Sequence, residues 1–291
     1  MKGGFSVEKR VLGKTGEKLS VVGFGGIVVM NEPVENAKKI VARAIERGIN
    51  YFDVAPSYGD AEEKLGPALE PYRDQVFLAC KTMERAKEGA WRELNESLKR
   101  LRTDHFDLYQ FHAVTTLDEV EAIFSPNGAI EAFLKVREEG LIRYIGFSAH
   151  SEEAALAMLE KFDFDTVLFP LNWASWLGKG FGKKLYSKAR ERNMGILAIK
   201  ALAKRRLEEG EEKRWKKCWY HPVDDFEEAS MALRFTLSLP VTAAVSPSHQ
   251  EFLWWMCQIV ENQGTKISEE ELQILKEKAQ KLTPVFPLDH S

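Results

Sequence analysis

The chain has 291 residues, of which 44% are hydrophobic and 29% are charged, so it can bury a large core. Its 41 basic and 44 acidic side chains give a net charge of -3, which argues against the concentrated positive charge that binds nucleic acid or anionic membranes. No run reaches the roughly 20 apolar residues of a membrane-spanning helix, and the first residues lack the apolar stretch of a signal peptide. We therefore expect a soluble cytoplasmic protein.

In chain order, the pattern predicts first a β-hairpin, roughly residues 8–20, with its turn at GKTGE. Short apolar runs and amphipathic helical segments such as VENAKKIVARAIERG then alternate almost without interruption. The predicted strands are residues 21–26, 50–55, 76–81, 106–112, 144–149, 166–170, 195–200 and 241–246. A long irregular stretch, about residues 204–225, precedes the last helical unit, and an extra helix, SEEELQILKEKAQKL, ends the pattern.

Strands that are apolar on both faces and alternate with helices indicate a parallel sheet covered by helices. Eight such units favour a closed (β/α)8 TIM barrel over an open doubly wound sheet. The hairpin would plug the bottom of this barrel. Because no composition break divides the chain, we expect a single domain over residues 1–291.

Polar residues fall where the predicted strands end, which is where barrels of this kind carry their chemistry. Asp53 ends the second strand with Tyr58 in the following turn, Lys81 ends the third, and His112 ends the fourth. A buried lysine must be paired, and Asp53 can pair it; the lysine charge would then lower the pKa of Tyr58. Singly each residue suits a structural ion pair or a solvated rim, but together they suit a site that gives a proton to a developing alkoxide.

Long ordered motifs around these residues resemble the aldo-keto reductase family: LGKTGEKLSVVGFGG, GINYFDVAPSYGDAEEKLG, VFLACKT, LKRLRTDHFDLYQFH and GLIRYIGFSAH. The resemblance implies a (β/α)8 reductase that uses NADPH to reduce aldehyde or ketone carbonyls to alcohols. It also implies a catalytic tetrad in which Tyr58 donates the proton, Lys81 tunes it, Asp53 holds Lys81 and His112 orients the carbonyl.

The glycine fingerprint of a Rossmann dinucleotide site is missing, because Val28 stands where the third glycine would be. Phosphates in barrels often bind near the last two strand ends and a helix N-terminus. With the resemblance, this gives the expected cofactor-binding residues Gly25, Ser148, Lys200, Leu202, Ser246, Ser248 and Gln258. Ser248 and His249 replace the family's basic residues, which leaves NADH open beside NADPH. No cluster with metal-ligand spacing is present, so no metal is expected.

Apolar and aromatic residues near the predicted mouth are expected either to line a substrate cleft or to pack under the long irregular stretch. The substrate candidates are Met30, Trp173, Trp176 and Trp219. The expected partner is a small-molecule carbonyl compound, with neither nucleic acid nor membrane, and the expected state is a monomer or weak homo-oligomer.

Two alternatives stay open at this point. A Schiff-base lyase could use Lys81 or Lys200, since a desolvated lysine at a strand end can become a nucleophile. Pairing with Asp53 argues against Lys81 in that role, because it keeps the amine protonated. The other alternative is a non-catalytic barrel subunit that senses nicotinamide nucleotides and reports to a partner protein.

Overall fold

The computed structural model describes residues 7–287. At its start, β1 (Lys9–Val11) and β2 (Lys18–Ser20) pair antiparallel around a 3-10 turn at Gly13–Thr15. Leu12 and Leu19 of this hairpin are fully buried in the cluster that fills the barrel interior. Burying a leucine side chain stabilises by about 1.5–3 kcal/mol. The predicted hairpin therefore exists, and it contributes side chains to the barrel interior.

Eight parallel strands form a closed barrel, which confirms the predicted fold class. They are β3 (Val22–Gly25), β4 (Tyr51–Asp53), β5 (Phe77–Thr82), β6 (Phe106–Val114), β7 (Ile142–Ala149), β8 (Thr166–Pro170), β9 (Gly195–Ile199) and, after two short strands outside the barrel, β12 (Ala243–Val245). Strand β12 pairs with both β3 and β9, so the last strand closes the ring. All carboxyl ends therefore meet at one rim, here called the mouth.

Helices cover the outside of the barrel. They are α1 (Val34–Glu46), α2 (Ala61–Leu69), α3 (Lys87–Arg100), α4 (Leu117–Phe124), α5 (Ala129–Glu138), α6 (Glu152–Lys161), α7 (Trp173–Lys179), α8 (Lys183–Glu191), α9 (Phe226–Ser238), α10 (Gln250–Gln263) and α11 (Glu269–Ala279). The last of these is the predicted extra helix. Helix α1 has the 3.6-residue pattern expected of a barrel helix, because it buries Ala37, Ile40, Val41 and Ala44 on one face. No helix within residues 7–287 is both long and apolar enough to span a membrane.

The largest difference from the sequence prediction lies in the long irregular stretch. It begins and ends in a small antiparallel pair, β10 (Ala203–Arg205) and β11 (His221–Pro222), with a register shift between Ala203 and Arg205. Two- and three-residue strands are too short to show alternation in sequence, so periodicity missed them. Their pairing brings the two ends of the stretch together. Residues 206–220, here called the mouth loop, therefore leave and rejoin the barrel at its carboxyl rim.

Candidate functional site

A buried ion pair lies at the centre of the mouth. Lys81 on β5 is fully buried, and its Nζ donates to Oδ1 of Asp53 at the end of β4 and to the Val54 carbonyl, 3.3 Å away. The other carboxylate oxygen of Asp53 accepts from Tyr51 Oη at 3.2 Å and from Gln110 Nε2 at 3.1 Å. Burial is the largest single cause and lowers the pKa of Lys81, but the charge of Asp53, the hydrogen bond to it and the influence of Tyr58 together outweigh burial and raise that pKa above its ordinary value. The lysine is therefore permanently charged.

Tyr58, in the loop after β4, lies beside this charge. Its Oη is 3.5 Å from Lys81 Nζ, and the ammonium is 5.2 Å from the centre of the phenol ring. Burial raises the pKa of Tyr58 above its ordinary value, and the Lys81 charge offsets only part of that rise. The expected lowering was thus wrong in net direction, because sequence does not show how far a hydroxyl is desolvated. The phenol is protonated throughout the neutral range.

His112 is turned toward Tyr58 by an irregularity in β6. The pairing of β6 with β7 shifts register between Phe111 and Val114, and the intervening Ala113 has a φ of 53°. The Arg85 guanidinium fixes this bend by donating to the His112 carbonyl at 2.6 Å. As a result, the His112 ring lies edge-on to the Tyr58 ring, with centroids 5.8 Å apart.

The electrostatic surroundings keep the His112 ring neutral. Burial is the largest cause that lowers the pKa of His112 well below its ordinary value, and the charges of Lys81 and Lys200 add to it. The Ser57 hydroxyl lies 3.4 Å from His112 Nδ1. When that hydroxyl donates to Nδ1, the ring proton lies on Nε2, where it can be donated to a ligand oxygen. The four tetrad residues expected from the sequence are therefore brought together.

A cavity of about 300 Å³ opens beside Asp53 and Tyr58, while Lys81 and His112 lie behind its lining. It is lined by Gly25, Ile27, Asp53, Ser57, Tyr58, Ile199, Lys200, Lys217, Cys218, Trp219, Tyr220, Val245, Ser246, Pro247 and Ser248. Lys217 and Cys218 were not among the expected site residues, nor were Tyr51 and Gln110 behind Asp53. Only their place in the irregular stretch, or on a strand beside a candidate, hinted at them in the sequence.

The mouth loop is attached to both sides of this cavity. Lys217 Nζ donates to the Val28 carbonyl at 3.0 Å and lies 3.4 Å from the Glu32 carboxylate. On the opposite side, Cys218 Sγ lies 3.0 Å from Ser248 Oγ, and both residues are buried. The loop thereby covers the edge of the mouth between β3 and α10.

The expected cofactor residues fall into two groups. Gly25, Lys200, Ser246 and Ser248 line the cavity. Ser148, Leu202 and Gln258 are absent from its lining. Ser148 is buried at the end of β7, where its Oγ accepts from the Ala113 N–H at 2.8 Å. Leu202 is buried in the core, and Gln258 is exposed on α10.

Gly25 is required by a close approach of two strands. Its N–H donates to Ser246 Oγ at 3.0 Å, which ties the end of β3 to the residue after β12. A Cβ on Gly25 would collide with the Ser246 carbonyl, so a larger residue would push the strands apart. The glycine thus keeps the backbone at this part of the mouth open to the cavity.

The expected substrate residues also separate. Trp219 lines the cavity and is 48% exposed. In contrast, Trp173 is fully buried in the core, and Trp176 packs edge-on against Tyr186 of α8 with ring centroids 5.4 Å apart. Met30 lies outside the cavity lining, half-buried beside the Tyr58 loop. Aromatic composition alone cannot separate a lining residue from a packed one.

Within residues 7–287, no group of three or more His, Cys, Asp or Glu side chains is placed to hold a metal ion. The chemical resources of the mouth are therefore a buried lysine-carboxylate pair, a protonated phenol, a neutral imidazole, serine hydroxyls and the ammonium of Lys200. This set can bind a polar ligand and move one proton.

Comparison with known proteins agrees with this geometry. Residues 22–286 match the model of the Aldo/keto reductase family. The chain belongs to this family. Aldo-keto reductases are oxidoreductases that use nicotinamide cofactors, and this chain has the fold of that family.

Individual relatives differ in coverage. The chain is 29% identical over 246 residues to L-galactose dehydrogenase of Arabidopsis thaliana. This match covers 78% of this chain and 74% of that protein. It is 36% identical over 157 residues to the uncharacterized oxidoreductase YqkF of Bacillus subtilis, and this match spans about half of each protein, 49% in both cases. The holo form of the aldo-keto reductase AKR11C1 from Bacillus halodurans has the same fold, with a TM-score of 0.74, 24% identity, and 95% of this chain and 98% of that chain covered.

Proposed function

We propose that this aldo-keto reductase reduces the carbonyl group of aldehydes or ketones to an alcohol, with NADPH or NADH as reductant. One observation carries the proposal. The Tyr58 hydroxyl lies 3.5 Å from a fully buried Lys81 that is paired with Asp53, at the wall of a cavity of about 300 Å³. Such a hydroxyl can give its proton to a ligand oxygen while a fixed positive charge stabilises the phenolate left behind.

Tyr58 is the proposed proton donor. A reduced nicotinamide, when bound, supplies the hydride that reaches the carbonyl carbon. Because the pKa of Tyr58 is raised, the phenol carries its proton at neutral pH, and the alkoxide oxygen that develops can accept it. The Lys81 ammonium favours that transfer by stabilising the phenolate, and Asp53 keeps the ammonium in position.

His112 is the proposed orienting group. Its neutral ring can donate a hydrogen bond to the carbonyl oxygen without competing with Tyr58 as an acid. The edge-on contact between the two rings, 5.8 Å between centroids, lets one ligand oxygen approach both donors. This bond would orient the carbonyl and stabilise charge as it develops on oxygen.

The groups around the cavity suit a dinucleotide. Ser246 and Ser248 offer hydroxyls, and α10 begins just after them at a cap residue, His249, whose side chain makes no capping bond. A helix N-terminus with free N–H groups favours phosphate oxygens. We assign to cofactor binding Gly25, Ser148, Leu202, Ser246, Ser248 and Gln258, with the cavity-lining Gly25, Ser246 and Ser248 as the primary contacts. Lys200, expected in the same set from the sequence, also lines the cavity and is assigned a different role.

Trp219 is the member of the substrate set that has most support, because it lines the cavity and keeps an exposed face. Met30, which follows β3, and Trp173 and Trp176, which lie on α7, are assigned supporting roles. Mixed aromatic and polar lining suits a small carbonyl compound with an apolar body.

The test is a titration of the parent protein with NADPH and with NADH, in which tryptophan fluorescence reports binding. The cofactor that binds is then used to assay a panel of aldehydes, ketones and quinones. We expect saturable quenching and a rate of cofactor oxidation proportional to protein. Absence of quenching by either nucleotide would refute the proposal, and binding without any turnover would support the nucleotide-sensing alternative instead. For the lyase alternative, Lys81 is unsuitable because its pKa is raised, so borohydride trapping should be examined at Lys200.

A further inference from the structure

Lys200, at the end of β9, combines three unfavourable features. Its φ is 62°, in the left-handed region that lysine rarely adopts. Its half-buried ammonium loses water, and this desolvation lowers the pKa of Lys200 to about 8. Within residues 7–287 it has no carboxylate partner at ion-pair distance. Such a combination usually persists at a functional position.

What Lys200 does contact is aromatic. Its Nζ lies 5.2 Å from the Trp219 ring and 5.6 Å from the Tyr220 ring. Cation–π contacts replace part of the lost hydration, but they leave the ammonium without an anion. The neighbouring thiol of Cys218 does not supply one, because burial raises its pKa. By contrast, Lys81 and Lys217 at the same mouth each have a carboxylate neighbour.

The two cations of the cavity wall serve different ends of it. The charge of Lys200 acts on His112 and on His150, which follows β7, and lowers the pKa of both rings. The charge of Lys217 acts instead on His249, at the start of α10. Lys217 thus acts at Ser248 and the helix N-terminus, whereas Lys200, which also neighbours Cys218, acts from the end of β9 on the ring that faces the proton donor.

We propose that Lys200 binds a carboxylate carried by the carbonyl substrate, so that the preferred substrates are aldehydes or ketones with an anionic group. This inference rests on the proposed reductase function and specifies its substrate class. Trp219, half-exposed and stacked against the same ammonium, would contact the apolar part that joins the carboxylate to the carbonyl. The other source of an anion is a cofactor phosphate, and the experiment separates the two.

The experiment compares 4-carboxybenzaldehyde with its neutral methyl ester, at saturating cofactor, in the parent, Lys200→Met, Lys200→Arg and Lys217→Met. The measured quantity is the ratio of kcat/KM for the two aldehydes. We expect the parent to favour the carboxylate by about tenfold or more, Lys200→Met to lower the ratio by roughly 10- to 100-fold, and Lys200→Arg to restore part of it. Methionine keeps the length of the side chain, and Lys217→Met controls for loss of a cavity cation and should keep the ratio.

Equal kcat/KM values for the two aldehydes in the parent, or a ratio that Lys200→Met leaves unchanged, would overturn the inference. If Lys200→Met instead weakens NADPH binding, and does so by the same factor whichever aldehyde is present, the anion that Lys200 binds is a cofactor phosphate. A second measurement needs no turnover or variant of Lys200: benzoate, with benzamide as the neutral control, is titrated against the cofactor-loaded parent and Trp219→Phe. Quenching by benzoate but not by benzamide, lost in Trp219→Phe, supports the carboxylate site. This holds even if no aldehyde is reduced, since absence of reduction would refute only the reductase function. Equal responses to benzoate and benzamide would contradict the carboxylate site.

Discussion

The two sides of the mouth are built in different ways. On the side of β4, β5 and β6, Asp53, Lys81 and Gln110 are buried on regular strands and bonded to one another. On the side of β9 and α10, Lys217 and Cys218 reach the barrel from an irregular loop. The proton-transfer groups are thus positioned by the barrel itself, whereas the groups that cover the ligand depend on a loop whose contacts can be removed one at a time.

The largest expected effect concerns the strand-built side. Tyr58→Phe removes the proton donor but keeps the ring, so kcat should fall by ~10²- to 10⁴-fold while cofactor affinity stays near the parent value. Steady-state rates and a fluorescence titration measure the two quantities. Tyr72→Phe, in a 3-10 segment before β5, is the matched control and should be silent. Retention of most of the activity in Tyr58→Phe would exclude the proposed donor.

Lys81→Met tests whether the strand-built side also contributes to stability. The variant leaves Asp53 buried with only the Tyr51 hydroxyl and the Gln110 amide as donors. Breaking a buried pair in this way typically costs about 3–5 kcal/mol. Urea unfolding should show a loss of that order, with carbonyl reduction strongly impaired. A variant as stable as the parent would mean that Asp53 takes up a proton or water, and would weaken the argument for a permanently charged pair.

The two sides should also differ in their pH dependence. The raised pKa of Tyr58 keeps the donor protonated, so kcat with a neutral aldehyde should stay level to about pH 9. The Lys200 ammonium, with a pKa of about 8, loses its charge as pH rises through that value. Selectivity for a carboxylated aldehyde should therefore fall about tenfold between pH 7 and pH 9. Parallel pH profiles for the two aldehydes would contradict this separation.

Other titrating groups around Lys200 do not reverse the sign. His112 and His150 are neutral across this range, since burial and the nearby lysines lower both pKa values. Burial raises the pKa of both Cys218 and Tyr220, so each stays protonated while Lys200 loses its proton. Lys81 keeps its charge because its pKa is raised.

The smallest expected effect is on the loop-built side. Lys217→Met removes the bond to the Val28 carbonyl and the neighbouring charge of Glu32, so the mouth loop should open more readily. We expect cofactor release to accelerate by roughly 2- to 12-fold, which corresponds to the loss of one hydrogen bond of about 0.5–1.5 kcal/mol. Stopped-flow displacement measures it, with the exposed neighbour Lys216→Met as the control. Equal release rates in both variants would mean that Lys217 does not hold the loop.

The strand-built side could be predicted from sequence, and the loop-built side could not. Asp53, Lys81 and His112 end apolar runs whose periodicity is plain, and parallel strands bring their ends together. Lys217 and Cys218 belong to a segment without periodicity, whose path depends on contacts with distant residues. The direction of the pKa shift of Tyr58 could not be predicted either, because burial outweighs the charge of its neighbour Lys81 and sequence does not show the extent of burial.

The closure of the ring has a consequence for how the protein is made. Strand β3 completes its pairing only with β12, and the Gly25 bond to Ser246 joins residues 221 positions apart. The Arg10 guanidinium of the N-terminal hairpin likewise donates to the carbonyls of Leu237 and Val241. A chain emerging from the ribosome at about 5–20 residues per second therefore keeps one sheet edge open for many seconds. Such an edge can pair with another nascent chain, which makes early chaperone contact with the first strand advantageous.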